Sequence, residues 1–119
     1  MRNIIIGLKV PFLAKEIDFT PVDSDLNKTQ LKAIKLALGA KDFFLIHGPP
    51  GTGKTRTLTE LIIQLTKRGK KVLATADSNI AVDNLILNLS KYPNLKIVRI
   101  GHPARVMEEL EKFFNLCSF

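Results

Sequence analysis

Gly48-Pro49-Pro50-Gly51-Thr52-Gly53-Lys54-Thr55 spells G-x-x-x-x-G-K-T, and this octapeptide constrains the chain more than any other stretch. In such a loop, backbone N–H groups wrap a polyphosphate at close range, and glycines stand where a Cβ would obstruct the approach. The bare pattern arises by chance in roughly 0.4% of chains this long, so the flanks decide how it is read. Before it, Phe43-Phe44-Leu45-Ile46 has the length of a buried parallel strand. After it, Leu58, Leu61, Ile62 and Leu65 recur at helical spacing. Strand, loop and helix in that order predict a phosphate-binding loop, not a glycine-rich turn with a solvated lysine.

The residue types match that task. The first turn of the outgoing helix directs unpaired N–H groups and its positive dipole end at a phosphate. Lys54 supplies a mobile point charge for the β- and γ-phosphates. The Thr55 hydroxyl suits the Mg²⁺ that bridges them. Pro49 and Pro50 fix φ and lower the entropy of ordering the loop. Arg56 joins Gly48–Thr55 as a candidate nucleotide-binding residue, although its place one residue beyond Thr55 is a poor angle for the γ-phosphate.

Eighteen Lys and Arg against eleven Asp and Glu give a net charge of +7 over 119 residues. That balance favours a polyanionic partner, nucleic acid or the nucleotide itself, and scattered lysines on an ordinary basic protein explain it equally well. The single cysteine, Cys117, precludes an internal disulfide and fits a reducing cytoplasm. No window is apolar for long enough to span a membrane. Ile4-Ile5-Ile6 is soon interrupted by Gly7 and Lys9, too short a run for a signal peptide. The expectation is a cytoplasmic chain of one domain at most, short for a complete P-loop motor.

Residues 1–26 read as a lead-in or linker, broken by Pro11, Pro21 and Asp23-Ser24-Asp25, with a short strand at Ile4–Leu8. Asn27 is the expected N-cap of a helix carrying Leu31, Ile34 and Leu38, with Gly39 as its C-cap. Lys67-Arg68-Gly69-Lys70-Lys71 stops the loop helix, its cations better explained as a solvated helix end than as a ligand patch. Val72–Ala76 reads as a strand, and Ser78 or Asn79 caps a helix bearing Val82, Leu85, Ile86 and Leu89. After the Pro93-Asn94 turn, Leu95–Ile100 reads as a third strand, and 104–114 as a further helix. Alternating strands and helices predict an α/β fold: a partial RecA-like P-loop domain over 27–119, with a parallel sheet and helices on both faces.

Four motifs in order carry a resemblance: Leu26-Asn27-x-x-Gln30-x-x-Ala33-Ile34, His47–Thr55, Ser78-Asn79-Ile80-Ala81-Val82-Asp83-Asn84-Leu85, and Arg99-Ile100-Gly101-His102-Pro103-Ala104-Arg105. From about Glu16 to Val106 the chain resembles the N-terminal part of a superfamily-1 helicase motor. The branch it looks most like holds the nonsense-mediated-decay helicases and the immunoglobulin-mu-binding DNA helicase. The loop alone would also fit AAA-type ATPases; the glutamine motif and the Ser-Asn helix point to the helicases.

The resemblance implies ATP and Mg²⁺ as ligands, and single-stranded DNA or RNA as a partner, held weakly by this stretch. It implies that Gln30 reads adenine, since a side-chain amide donates and accepts at once; the plain alternative is an exposed helical glutamine. Ser78 and Asn79 match the motif that holds a strand's sugar-phosphate backbone, and simple N-capping shares that geometry. Arg99 and Arg105 are offered as further phosphate contacts or as ordinary surface arginines. His102, with no second ligand at metal spacing, is not read as a metal site.

Asp77 stands where the family pattern has proline, and it is too early in the chain for the Mg²⁺-directed acid. Nothing after Val106 resembles that acid, the γ-phosphate-sensing glutamine, the arginine fingers or the second motor domain. Two readings follow. One is a truncated or split helicase, inactive alone and completed by a second chain. The other is a non-catalytic nucleotide-binding module acting through a partner. A small P-loop kinase is disfavoured, because no lid arginines or acceptor site are visible.

Overall fold

A computed structural model describes residues 13–101. The chain divides into two compact units, Met1–Leu65 and Thr66–Phe119. Three helices are formed among the described residues: α1 (Lys28–Gly39), α2 (Lys54–Lys67) and α3 (Asn79–Leu89). None is long and apolar enough to cross a membrane.

In the first unit, α1 starts where the sequence predicts. The Asn27 side chain accepts from the Gln30 N–H at 2.9 Å, and the Gln30 side chain accepts from the Asn27 N–H at 2.9 Å. This reciprocal pair satisfies two donors that a helix start leaves open. Ile34 is completely buried and Leu26 nearly so. Gly39 ends the helix for another reason than the expected C-cap. It is the last helical residue, Ala40 is the cap, and Gly39 has no positive φ. A Cβ at Gly39 would collide with the Lys15 carbonyl, so glycine is there to let a second backbone pass.

The described part of the lead-in, from residue 15 to 25, is packed. The Ile17 N–H donates to the Lys35 carbonyl at 3.1 Å, and Lys35 pairs with Asp18. Residues 20–25 lie along α2, where Arg56, Glu60 and Gln64 at i, i+4 and i+8 form one stripe that holds them. Glu60 and Gln64 are buried while Leu58 is 42% exposed, so α2 buries a polar stripe where its apolar pattern predicts the opposite. The lead-in backbone brings N–H and C=O groups that need partners, and polar side chains supply them. The apolar side of α2 instead lines an open groove of about 350 Å³, with Leu58, Leu61 and Leu65 facing Ala37, Phe44 and Ile46.

The expected parallel sheet is not formed among the described residues, which hold no strand apart from an isolated bridge position at Arg99. Residues 43–48 form no regular element and alternate in exposure, with Phe44, Ile46 and Gly48 half-buried and Phe43, Leu45 and His47 exposed. Residues 72–76 likewise form no regular element, and are exposed throughout. Leu45 and Leu73 each remain 82% exposed and Ile100 79%. A strand is defined by a paired neighbour about 4.8 Å away, which local alternation cannot supply. The expected strand at 4–8 and helix at 104–114 lie outside the described residues.

In the second unit, α2 ends with the Gly69 N–H donating to the Thr66 carbonyl at 2.8 Å. Ser78 caps α3, its hydroxyl accepting from the Ala81 N–H at 3.2 Å. The helix buries Asp83, Ile86 and Leu89.

Candidate nucleotide-binding site

The loop that leads into α2 folds through two left-handed glycines, Gly51 at φ 81° and Gly53 at φ 78°. Between them Thr52 closes the turn. Its N–H reaches the Pro49 carbonyl at 3.4 Å and its hydroxyl donates to the same oxygen at 2.7 Å. A Cβ at Gly51 would meet nothing, so the outer side of the turn is open. At Gly48 a Cβ would press on the Thr52 hydroxyl, 2.7 Å away, and at Gly53 on the Gln30 amide, 2.6 Å away.

Helix α2 begins at Lys54, and the Thr57 N–H to Gly53 carbonyl bond of 3.0 Å is its first turn. The amides of Lys54, Thr55 and Arg56 therefore precede any intrahelical acceptor and form the positive end of the dipole. The Lys54 ammonium is folded back on the loop, donating to the Gly48 carbonyl and, at 2.8 Å, to that of Pro49. Those are weak, exposed contacts that a phosphate would outcompete. Thr55 is exposed at the same helix end. An open loop of left-handed glycines, a helix N-terminus, a mobile cation and a hydroxyl fit a Mg-bound polyphosphate.

Gln30 lies beside this loop. Its amide is nevertheless engaged at both ends: Oε1 accepts from the Asn27 N–H, and Nε2 donates to the Thr52 carbonyl at 3.1 Å. It thus joins the start of α1 to the loop. Arg56 points to the lead-in instead. Its Nη2 donates to Asp23 at 2.8 Å and to Asp25 at 2.9 Å, and its Nε also pairs with Asp23. This pairing raises the Arg56 pKa above its usual range, and Arg56 holds the Asp23 carboxyl below the usual carboxylate range.

Sequence reasoning missed the rest of this anchor. Glu60, 1% exposed, accepts from the N–H groups of Val22 at 3.1 Å and Asp23 at 3.0 Å, and from the Gln64 amide at 2.7 Å. Gln64 also donates to the Thr20 carbonyl at 2.9 Å. The available signal was the polar stripe 56, 60, 64 on a helix whose other face is apolar.

At the start of α3, Ser78 is exposed and Asn79 half-buried. Arg99 overturns both earlier readings of it: it is neither a phosphate contact nor a surface arginine. Only 4% exposed, it donates through Nε to Asp83 at 2.9 Å, through Nη2 to Asn79 Oδ1 at 3.1 Å and through Nη1 to the Ile100 carbonyl. Arg105 and His102 lie outside the described residues. No cluster of three or more metal-ligating side chains occurs among those described.

Comparison with known proteins matches residues 25–116 to the family described as "AAA domain". The chain is 53% identical over 114 residues to an uncharacterized ATP-dependent helicase of Methanocaldococcus jannaschii, covering 92% of this chain and 17% of that protein. It is 44% identical to DNA-binding protein SMUBP-2 of Rattus norvegicus, covering 92% of this chain and 11% of the relative. It is 46% identical to DNA polymerase alpha-associated DNA helicase A of Schizosaccharomyces pombe, covering 78% and 14% respectively. The chain therefore spans less than a fifth of each of these proteins. Its resemblance to superfamily-1 helicases holds, and by the match over most of its length the chain belongs to the AAA domain family of P-loop proteins.

Proposed function

We propose that the chain is the ATP-binding part of an ATP-dependent helicase motor that works on single-stranded DNA or RNA. One observation carries this reading: left-handed Gly51 and Gly53 deliver the chain into a helix whose first residues are Lys54 and Thr55. The names of its relatives support the helicase class. In this reading the loop amides and Lys54 hold the β- and γ-phosphates, Thr55 contributes to the Mg²⁺ site, and Gln30 turns its amide to adenine. Bound Mg²⁺ supplies charge neutralisation between the phosphates. Ser78 and Asn79 hold the strand's backbone. The segments 43–48, 72–76 and 95–100 become strands of a parallel sheet once further strands pair with them. Turnover and movement need parts beyond this stretch, contributed by more of the same polypeptide or by a second chain.

The test is titration with a fluorescent ATP analogue in the presence of Mg²⁺. Replacing Lys54 with Ala removes a charge-assisted contact of about 1.5–3 kcal/mol, so affinity falls roughly 10- to 100-fold. Equal affinity in the two proteins overturns the reading.

A further inference from the structure

We propose that Arg56 is a positioning residue of the phosphate loop: by holding Asp23 and Asp25 it closes a bracket around residues 52–56 that strengthens binding of a Mg-bound nucleoside triphosphate. The inference rests on the nucleotide reading above and deepens it, because ligand binding and bracket closure then become coupled.

The segment from Asp23 to Gln30 touches the loop's exit at both of its ends. At one end Arg56 donates through Nη2 to Asp23 at 2.8 Å and to Asp25 at 2.9 Å, and through Nε to Asp23 again. At the other, Gln30 accepts from the Asn27 N–H at 2.9 Å and donates to the Thr52 carbonyl at 3.1 Å. Between these attachments lie left-handed Gly53, Lys54 and Thr55. Buried Leu26 alone separates Asp25 from Asn27, so the two ends belong to one short piece of chain. A loop held on both sides samples fewer conformations, and less ordering is left for a ligand to impose.

The attachments differ in permanence. Glu60 and Gln64, one and two turns further along α2, are buried and hold backbone groups of Thr20, Val22 and Asp23 that need partners whatever the ligand. The Arg56 clamp joins side chain to side chain, with Arg56 46% and Asp25 73% exposed. An ion pair so open to water is worth little, which leaves it near balance between closed and open. A ligand that prefers the closed loop therefore shifts the clamp, and by reciprocity the clamp shifts the ligand's affinity. Direct contact between Arg56 and phosphate is the competing role, and it predicts the opposite sign. The two carboxylates would then hold the cation back, and removing them would strengthen binding.

The experiment titrates the full chain with the fluorescent ATP analogue and Mg²⁺ at about 0.15 M salt, where long-range charge effects are screened. Arg56→Ala should weaken binding about 5- to 10-fold, the range of a modest coupling. Asp23→Asn combined with Asp25→Asn should weaken it similarly, although losing two carboxylate charges by itself favours an anion. The triple variant should be no weaker than either parent, because all three residues act through one clamp. In the unaltered chain, saturating analogue should slow exchange of the Asp25 amide, which donates to Asp23 at 3.0 Å, by at least about 3-fold as followed by NMR. Unchanged affinity in Arg56→Ala, tighter binding in the Asp23→Asn, Asp25→Asn variant, additive losses, or unaltered Asp25 exchange at saturation each overturn the coupling. The exchange measurement decides this even where a variant loses its fold. An unaltered chain that does not bind the analogue removes the nucleotide reading itself.

Discussion

Arg56 and Asp23 meet as a two-pronged ion pair, Nη2 donating to one carboxylate oxygen at 2.8 Å and Nε to the other. The pair joins the helix that leaves the phosphate loop to a segment 33 residues earlier. Asp25 donates its N–H to Asp23 at 3.0 Å and adds a second carboxylate to Arg56 at 2.9 Å. The first turn of α2 is thereby attached to the lead-in directly beside the candidate ATP site.

This pair makes the first unit sensitive to acid. Asp23 titrates below its usual range, first through its hydrogen bond with Arg56. A carboxylate with a depressed folded pKa stabilises the fold above its unfolded value, near 3.9, and loses that contribution as pH falls through the folded value. Thermal unfolding followed by circular dichroism should therefore show a falling midpoint from about pH 5 downward. Asp23→Asn should start lower at pH 7 and show a shallower acid dependence.

Glu60 is the deeper anchor. Replacing it with Ala strips the acceptor from the N–H groups of Val22 and Asp23 and from Gln64. Leaving such groups unsatisfied costs about 1–3 kcal/mol, measurable by urea unfolding. Glu60→Gln retains one oxygen and should cost less. Both variants should also expose the lead-in to proteolysis near residues 20–25.

At Gly39, local propensity and tertiary structure give opposite signs. Ala within a helix is favoured over Gly by about 1 kcal/mol. A Cβ at this position meets the Lys15 carbonyl, so Gly39→Ala should destabilise the chain by about 1–3 kcal/mol in the same unfolding assay. A gain in stability would show that Lys15 moves aside freely.

Gln30 links loop and helix start, and its proposed second role is adenine reading. Gln30→Ala should weaken the ATP analogue less than Lys54→Ala does, and should blur the preference for ATP over GTP. A loss shared equally by the two nucleotides would assign Gln30 to the bond with the Thr52 carbonyl alone.

The phosphate loop, its helix and the caps at Asn27 and Ser78 were legible in the chain because each is local. Left-handed glycines, capping side chains and a 3.6-residue period act over four to eight neighbours, and the structure returns all of them at Gly51, Gly53, Asn27 and Ser78. Position 99 was not legible, since a lone arginine in an alternating segment reads the same whether it faces water or Asp83. Its burial depends on where α3 lies, 16 residues earlier in the chain. The packing of residues 20–25 was hidden for the same reason: prolines and aspartates in sequence read as a lead-in, and the contacts with Glu60 and Gln64, some 40 residues on, are encoded by no local pattern. Sequence alone determined the local chemistry of the loop. The three-dimensional fold decided which face of α2 is buried, why Gly39 is glycine and what Arg99 holds, because each is settled by a distant backbone or side chain that no local pattern encodes.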